Sequence, residues 1–482
     1  MTKRIYIIGA GFAGQTLALE IQRKAVFGEV AAFLDDDAGK IGRVLDGAPV
    51  LGPVEGAAHA LSPQSGDEAI IAMPGAAQDY QKKLYTVLRD AGFQKIRILP
   101  AISQIIEGDA HLIQTRAINP QDLLGRAPVA INLKESLAYL RGKRVLITGA
   151  GGSIGSELCR QLLSGGAERL YLFGHGENSI YQIDKELRLL QEEGVGEKAT
   201  IVPVIGDLKD APYMDLLLSR LKADVVFHTA AYKHVPMMEE NPVAAIQNNL
   251  FGAANILYAA QKYGVKRFVH ITTDKAVEPS SVYGASKYLC EQLVTETARV
   301  AVNGAFMAVR FGNVLGSRGS IIPLFEKQIA KGGPVTVTHP DMKRWFMTIP
   351  EACSLVLKAG GVGENGCLYL LDMGEPVRIR ELAEQMIRFY GFEPYKDIEI
   401  VYTGVRLGEK IEEKLIAHNE KTVETGFSRI LRIEKTAPAM EDIHSFREKI
   451  ERLRPICYFD EKQPAVYRDS ALLREILGNA LN

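Results

Sequence analysis

Cysteine, tryptophan and long apolar runs are scarce in this chain, and each scarcity narrows the kind of protein it can be. The five cysteines (Cys159, Cys290, Cys353, Cys367 and Cys457) are scattered and form no Cys-X-X-Cys pair. This pattern argues against a disulfide scaffold or a zinc ribbon, so we predict no metal site and expect a reducing cytoplasm. No apolar run reaches the about 18 residues of a membrane-spanning helix. We therefore predict no transmembrane segment.

Excess charge of one sign is also absent. Lys and Arg total 57 against 58 Asp and Glu, which gives a net charge of -1. Nucleic acids and anionic membranes bind clustered positive charge, so neither is an expected partner. Apolar residues make up 47% and charged residues 24% of the 482 residues. These values are typical of folded globular domains, and the length allows about two to four of them.

Strands and helices alternate along two stretches, and each stretch opens with a glycine turn. The first begins KRIYIIGAGFAG at Lys3, and the second begins RVLITGAGGSIG at Arg144. Because this alternation predicts parallel sheets, we predict an α/β fold with two Rossmann-like doubly wound parallel-sheet units. The second carries a smaller mixed α/β substrate lobe. The predicted domains are residues 1–125 and 126–482, with a linker at 111–134, a nucleotide-binding core at 140–325 and the lobe from 326.

The second glycine turn follows a strand and opens a helix, which is the context of a dinucleotide-binding turn. Gly149 permits the tight turn, Gly152 lets backbone N–H groups approach a pyrophosphate, and Gly155 lets the helix pack against the strand. The next strand ends in Gly174-His175 where NAD enzymes often have Asp, which favours NADP and leaves NAD open. Asp207, at the end of another strand, is predicted either to bind adenine or to cap a helix.

The first glycine turn has the same local context. Gly9, Gly11 and Gly14 form Gly-X-Gly-X-X-Gly, and Asp35 follows about 20 residues later, where a ribose-binding acid belongs. No residue downstream in this stretch indicates catalysis. Two interpretations stay open: a second nucleotide site, or a Rossmann-like regulatory or docking domain.

Candidate catalytic residues follow the strand RFVHITT of the second stretch. Thr273 ends it, Asp274 and Lys275 come next, and Tyr283 and Lys287 lie on one face of the following helix. A neighbouring ammonium is expected to lower the pKa of a tyrosine. The phenolate then takes the proton of an alcohol while hydride leaves for a nicotinamide. Asp274 and Lys275 add an acid and a base that a plain dehydrogenase does not need.

Six segments together resemble the nucleotide-sugar 4,6-dehydratases of bacterial polysaccharide synthesis, in the extended short-chain dehydrogenase/reductase superfamily. The resemblance covers about residues 135–430. The first unit resembles the Rossmann-like domain of the larger members, many of which carry transmembrane helices, so a soluble version is expected here. The segments are TGAGGSIGSEL (148–158), HTAAYKHVPMMEENP (228–242), TTDKAVEPSSVYGASK (272–287), RFGNVLGSRGSIIPLFEKQI (310–329), MKRWFMTIPEA (342–352) and RLGEKIEEKL (406–415).

The resemblance implies UDP-N-acetylglucosamine 4,6-dehydratase activity with a tightly bound NAD or NADP, a UDP-sugar substrate and a homo-oligomer. Tyr283, Lys287 and Thr273 would serve oxidation at C4, Asp274 would protonate the C6 hydroxyl, and Lys275 would be the C5 base. Larger members often have methionine in place of the tyrosine, so retention or inversion at C5 stays open. Further cofactor residues would be Ser153, Ile154, Leu208, Ala230, Ala231, Lys233 and Asn249. Substrate residues would be Lys233, Asn313, Ser320, Pro323, Val335, Thr336, Arg344, Arg406 and Glu409.

Two other functions fit part of the pattern. A UDP-hexose 4-epimerase would use the same Thr273, Tyr283 and Lys287 but needs no C5 base or C6 acid, so Asp274 and Lys275 argue against it. A non-catalytic nucleotide-binding sensor would not need the complete set.

Overall fold

The computed structural model describes residues 3–23, 28–64, 66–73, 76, 78–99, 116–117, 136–390, 392–435 and 443–478. The chain divides into two compact units, Met1–Glu135 with Leu189–Glu197, and Ser136–Arg188 with Lys198–Asn482. The predicted boundary between residues 125 and 126 lies outside the described residues, as does the predicted linker apart from residues 116–117. Within the described part of the chain, no helix is both long and apolar enough to cross a bilayer.

The first unit is built on one sheet with the strand order β3-β4-β2-β1-β5-β6-β7. Strands β4, β2, β1, β5 and β6 run parallel, and β3 and β7 are antiparallel edges. This sheet is wound in both directions from β1, as predicted. Its elements are β1 Arg4–Ile8, α1 Phe12–Arg23, β2 Glu29–Leu34, β3 Val44–Leu45, β4 Ala48–Leu51, α2 Val54–Ala60, β5 Glu68–Ile71, α3 Gln78–Asp90, β6 Lys95–Ile98 and β7 Arg116–Ala117.

The second unit contains a larger sheet with the order β10-β9-β8-β11-β12-β13-β18-β22-β21. Its elements as far as β13 are β8 Arg144–Thr148, α4 Ser153–Leu162, β9 Arg169–Gly174, α5 Glu177–Glu192, β10 Thr200–Ile205, α6 Ala211–Leu221, β11 Val225–His228, α7 Val235–Glu240, α8 Pro242–Ile246, a π-helical turn Gln247–Phe251, α9 Gly252–Lys262, β12 Arg267–Thr273, α10 Val282–Val300 and β13 Ala305–Phe311.

The elements after β13 are β14 Asn313–Leu315, α11 Ile321–Ala330, β15 Val335–Val337, β16 Lys343–Arg344, β17 Phe346–Thr348, α12 Ile349–Val362, β18 Leu368–Leu371, β19 Val377–Arg378, α13 Ile379–Phe389, β20 Ile400–Tyr402, β21 Glu420–Glu424, β22 Ile430–Lys435, α14 Ile443–Cys457 and α15 Ser470–Leu477. Strands β14 and β17, β15 and β20, and β16 and β19 form three small two-stranded sheets.

The parallel part of the large sheet is doubly wound, which confirms the predicted fold class. Its buried strands are near-continuous apolar runs, as expected where helices cover both faces; Val145, Leu146 and Ile147 of β8 are fully buried. The chain runs from β8 outward to β10 and then returns to β11 on the other side of β8. The strand order reverses between β8 and β11, and ligands of open α/β sheets bind beyond the carboxyl ends of strands at such a point.

The predicted substrate lobe from residue 326 is only partly separate from the core. Strand β18 pairs in parallel with β13, and β22 and β21 continue the same sheet in antiparallel fashion. Helices α14 and α15 pack on the main apolar core through side chains such as Leu453 and Leu473. The late strands were missed because they are short and carry alternating charges, as in Glu420–Glu424.

Candidate active site

A cavity of about 1330 Å³ lies in the second unit, where β8, β11 and β12 end. Its wall combines the Gly149 turn, the segment after β11, Thr273 at the end of β12, and residues from 312 to 413. Large concave pockets with a few convergent polar groups are the usual sites of small-molecule binding. The sheet and the later elements therefore form one candidate site at the predicted crevice.

The glycine turn after β8 is shaped by close backbone contacts. Gly149 has a φ of +69°, and a Cβ there would lie 2.9 Å from the backbone of Ala230. A Cβ on Gly155 would lie 2.2 Å from the carbonyl oxygen of Gly149. Gly152 is the N-cap of α4. Only glycine fits these contacts, and the turn presents the N-terminus of α4 to the cavity, as a backbone-bound phosphate requires.

The structure brings most predicted cofactor residues to the cavity wall. Ser153 also accepts a hydrogen bond from the backbone N–H of Arg318, at 3.1 Å. The predicted cofactor residues on the wall are Gly149, Gly152, Ser153, Ile154, Gly155, His175, Asp207, Leu208, Ala230, Ala231, Lys233, Tyr283 and Lys287.

For Asp207 the structure excludes the alternative interpretation, and for Asn249 it differs from the prediction. Asp207 does not cap a helix: its carboxylate accepts the backbone N–H of Lys209 at 2.9 Å, whereas Asp210 caps α6. Asn249 is buried in the π-helical turn and is not among the residues that line the cavity. Its side chain instead pairs with both backbone groups of Tyr232, at 2.8 and 2.9 Å. Asn249 therefore fixes the loop that carries Ala230, Ala231 and Lys233.

Tyr283 and Lys287 lie one turn apart on α10, and both line the cavity. Lys287 Nζ donates to the carbonyl oxygen of Ile271 at 2.6 Å and lies 3.0 Å from His270 Nε2. Burial lowers the pKa of Lys287. These two partners account for two of its three N–H donors and hold the amine beside the end of β12.

The expected lowering of the Tyr283 pKa is wrong for this structure. Burial raises the pKa of the Tyr283 phenol; its hydrogen bond with Thr273 acts in the opposite direction, and the negative charges of Asp274 and Glu413 raise it further. The sequence shows the i, i+4 spacing of Tyr283 and Lys287 but not the burial of the phenol beside two carboxylates. It therefore could not predict the direction of the pKa shift of Tyr283.

Thr273, Asp274 and Lys275 form a polar cluster with Asn313. Asp274 Oδ1 accepts the Thr273 hydroxyl at 2.9 Å and Lys275 Nζ at 3.0 Å, and Lys275 Nζ also donates to Asn313 Oδ1 at 3.0 Å. Thr273, Lys275 and Asn313 line the cavity, but Asp274 is fully buried and is not among the lining residues. The predicted acid thus contacts the predicted base without facing the cavity.

Glu413 is a cavity residue that the sequence analysis did not single out. Its side chain is 4% exposed, its Oε1 lies 3.9 Å from Lys275 Nζ, and its Oε2 accepts no hydrogen bond from the described residues. Burial raises the pKa of Glu413, as does the Asp274 charge, while Lys275, Arg344 and Lys410 oppose the increase. The motif RLGEKIEEKL contains Glu413, but only folding places it beside Lys275.

Most of the predicted substrate residues also line the cavity. Lys233 Nζ donates to Ser317 Oγ at 3.2 Å, and burial together with the Lys275 charge lowers the pKa of Lys233. Arg406 pairs with Glu409 at 2.5 Å. Of the predicted set, Lys233, Asn313, Ser320, Pro323, Thr336, Arg344, Arg406 and Glu409 line the cavity.

Val335 is the exception in that set. Its side chain is fully buried in the core, whereas its neighbour Thr336 and the nearby Thr338 line the cavity. Successive side chains of a strand point to opposite faces, so a prediction that placed both Val335 and Thr336 against a ligand had to fail for one of them.

The glycine turn of the first unit is closed by Asp35. Its Oδ2 accepts the backbone N–H of Ala10 at 2.7 Å and lies 3.3 Å from Lys40 Nζ. Burial raises the pKa of Asp35, but the bonds from Asp37, Ala10 and Lys40 outweigh it, and the net pKa is lowered. The Asp35 carboxylate therefore stabilises the glycine turn of the first unit. Both interpretations of this unit, a second nucleotide site and a regulatory or docking domain, stay open.

The fold and cavity of the second unit define a short-chain dehydrogenase/reductase-like protein: a doubly wound sheet, a glycine cradle and a Thr–Tyr–Lys set at one crevice. Residues 145–435 match the family model described as "Polysaccharide biosynthesis protein". The chain is 42% identical over 430 residues to the probable polysaccharide biosynthesis protein EpsC of Bacillus subtilis, an alignment that covers 89% of this chain and 71% of EpsC. The chain therefore belongs to the polysaccharide biosynthesis protein family.

Shorter relatives are named for specific reactions. A UDP-glucose 4-epimerase of Rickettsia canadensis is 33% identical over 58% of this chain and 79% of its own length. A UDP-N-acetylglucosamine 4,6-dehydratase (inverting) of Campylobacter jejuni is 31% identical over 58% of this chain and 79% of its own length. Among solved structures, Pen from Bacillus thuringiensis is 31% identical with a TM-score of 0.56, covering 62% of this chain and 90% of Pen.

Proposed function

We propose that the second unit is a UDP-N-acetylglucosamine 4,6-dehydratase. The observation that carries the proposal is the buried cluster of Asp274, Lys275 and Glu413 next to Thr273 and Tyr283. Loss of water across C5–C6 of a sugar needs a base at C5 and an acid at C6, and epimerisation at C4 needs neither. The cluster supplies both kinds of group beside the alcohol-oxidising set.

NADP or NAD fits the glycine cradle, because a Cβ on Gly149 or Gly155 would meet backbone within 3 Å. His175 at the wall and the lack of an acid at the end of β9 favour NADP. A bound nicotinamide would supply the hydride acceptor for C4 and the hydride donor for C6. Lys287, which donates to Ile271 and lies beside His270, would hold the ribose end of the cofactor.

The chain's own residues then divide the proton transfers. Tyr283 takes the proton of the C4 hydroxyl, with Thr273 hydrogen-bonded to it. The resulting ketone acidifies the C5 proton, and Lys275 at the cavity wall removes it. The resemblance assigns the C6 proton to Asp274, which accepts hydrogen bonds from both Thr273 and Lys275. Arg344 and Arg406 at the far wall suit the substrate diphosphate, since guanidinium matches phosphate oxygens.

The test is incubation of purified protein and NAD(P)+ with UDP-N-acetylglucosamine, followed by mass and proton NMR spectra. The proposal requires the loss of one water and a new C6 methyl signal. A product of unchanged mass with the galacto configuration would establish the epimerase instead, and no reaction with any cofactor would overturn both.

Asp274→Asn separates chemistry from binding. The amide cannot hold a proton for transfer, and it places an N–H or a neutral oxygen against Thr273 and Lys275. We expect turnover to fall by about 100-fold or more while NAD(P)H fluorescence titration gives an unchanged dissociation constant. Near-normal dehydration by this variant would remove Asp274 from the mechanism.

A further inference from the structure

Glu278 lies in the loop that connects two groups of candidate catalytic residues, with Lys275 before it and Tyr283 after it. Its φ of +42° is in the left-handed region, which is sterically unfavourable for a residue with a Cβ. Among the non-glycine residues with a positive φ in the described part of the chain, only Glu278 lies between candidate catalytic residues. Such a conformation persists where surrounding contacts fix it, so its contacts indicate what the loop is held against.

The side chain of Glu278 contacts a part of the cavity wall that has no regular structure of its own. Residues 403–419, all of them described, contain neither helix nor strand, and we call residues 409–418 the wall segment. Glu278 Oε2 accepts Lys414 Nζ at 2.8 Å. Glu278 Oε1 accepts the backbone N–H of His418 at 3.1 Å and lies 3.2 Å from His418 Nδ1. The hydrogen bonds from Lys414 and His418 outweigh burial and lower the pKa of Glu278 to about 2, so its carboxylate is charged at neutral pH.

The backbone of the same loop holds the wall segment at a second point. Lys410 Nζ donates to the carbonyl oxygens of Val277 and Glu278, at 2.8 and 2.5 Å. Glu278 therefore contacts the wall segment with both its carbonyl oxygen and its carboxylate.

A separate set of contacts anchors the wall segment to the substrate lobe. The carbonyl oxygen of Ile411 accepts Arg344 Nη1 of β16 at 3.0 Å. The carbonyl oxygen of Glu413 accepts the indole N–H of Trp345 at 2.8 Å. The wall segment thus bridges the loop of candidate catalytic residues and the lobe, and a segment without helix or strand depends on such contacts for its position.

We propose that Glu278 is a positioning residue: it fixes the wall segment against the loop of candidate catalytic residues and so shapes the substrate side of the cavity. Its effect on turnover rests on the proposed dehydratase function. Glu409 and Glu413 of the wall segment line the cavity, and Glu409 pairs with Arg406, a candidate partner of the diphosphate. A displacement of about 1 Å costs on the order of 100-fold in rate, so a wall segment that loses one anchor should bind the sugar nucleotide less tightly.

Glu278→Asn separates the carboxylate from the turn. Asparagine is enriched at positive φ, so it suits the backbone conformation of this residue. Its side chain is one methylene shorter and uncharged, so the ion pair with Lys414 is lost. A residue that only shaped the turn would tolerate this substitution, whereas a residue that holds the wall segment would not. Glu364→Asn is the control, because Glu364 forms an exposed pair with Arg432 at 3.4 Å and is not among the lining residues.

Two measurements report on the wall segment and on the substrate. Trp345, the only tryptophan of the chain, is bonded to Glu413, so acrylamide quenching of its fluorescence should increase in Glu278→Asn. The KM for UDP-N-acetylglucosamine should rise by about tenfold. The kcat and the dissociation constant of NAD(P)H should stay near wild type, because Asp274 and Lys275 keep their own hydrogen bonds.

Lys414→Met provides a second variant that leaves the turn itself untouched. It removes one partner of Glu278, so quenching and KM should change in the same direction but by less, while Glu364→Asn should match wild type. Unchanged quenching in both Glu278→Asn and Lys414→Met would overturn the proposal, and so would increased quenching with an unchanged KM. Wild-type protein that does not dehydrate UDP-N-acetylglucosamine would refute the proposed function, whereas the quenching comparison would still decide whether Glu278 holds the wall segment.

Discussion

Replacing Arg310 should reveal how much of the stability of the second unit depends on one buried charge network. The Arg310 side chain is 1% exposed and bridges Glu291 on α10 and Glu420 on β21, with closest N···O distances of 2.7 Å to each. Arg310→Met removes the only positive charge of this triad and leaves two buried carboxylates facing a methyl group. Breaking a buried pair in this way costs about 3–5 kcal/mol, and two stranded partners place the expected loss at the upper end.

The single tryptophan makes the assay selective. Trp345 belongs to the second unit, so its fluorescence during urea unfolding follows that unit alone. Arg299→Met is the control, because Arg299 pairs with Glu296 on the exposed face of the same helix, with its side chain 49% exposed. An exposed pair contributes about 0–1 kcal/mol.

The stability loss of Arg310→Met should depend on pH in a definite direction. In the wild-type protein burial raises the pKa of Glu420, but Arg310 outweighs it and the net pKa is lowered. The stability from this shift is full above the unfolded pKa of about 4.3 and is lost as pH falls through the lower folded value. Without Arg310, burial is opposed only by the Ala417 N–H and the Lys435 charge. We therefore expect the pKa of Glu420 to rise and the stability deficit of Arg310→Met to shrink between pH 8 and pH 5. A deficit below about 1 kcal/mol, or one that grows on acidification, would refute this account.

Three further outcomes follow from other contacts. Gly155→Ala places a Cβ 2.2 Å from the Gly149 carbonyl oxygen. It should weaken NAD(P)H binding by more than about tenfold in fluorescence titration. Gly56→Ala is the control, because its Cβ meets nothing within 4 Å, and it should leave binding unchanged. Arg474 donates to Glu239 at 2.7 Å, and Glu239 accepts the backbone N–H of Val282 at the start of α10. Because Arg474 is partly exposed, Arg474→Ala should lower the free energy of unfolding in urea by about 1–2 kcal/mol. An unchanged free energy of unfolding would show that the Arg474–Glu239 pair does not stabilise the start of α10. The pKa of Asp35 is lowered, so its stabilising contribution is present above the unfolded pKa of about 4 and lost as pH falls through the lower folded value. The protection of the Ala10 amide against hydrogen exchange, relative to an unfolded amide at the same pH, should therefore decrease in acid, and Asp35→Asn should remove this pH dependence.

The parallel core could be predicted from the sequence because buried parallel strands are continuous apolar runs between glycine turns. The strand RFVHITT, residues 267–273, has the predicted bounds. Strands β21 and β22 could not be found in this way, because their alternating charges match no buried strand. The five candidate catalytic residues from Thr273 to Lys287 are close together in the sequence, so their spacing alone could single them out. Glu413 and Arg310 were missed since their partners lie far away in the chain. The predicted homo-oligomer stays a prediction.

The return of the chain to the central sheet limits how the crevice can open. After leaving β13 the polypeptide rejoins the same sheet at β18, departs again to build more of the wall, and comes back at β21 and β22. A lobe anchored at several places along one sheet cannot swing on a single hinge. We expect the crevice to open through local movement of individual segments, such as the turn around Gly319 or the stretch from Gly404 to Gly408, and not through a hinge motion of the whole lobe.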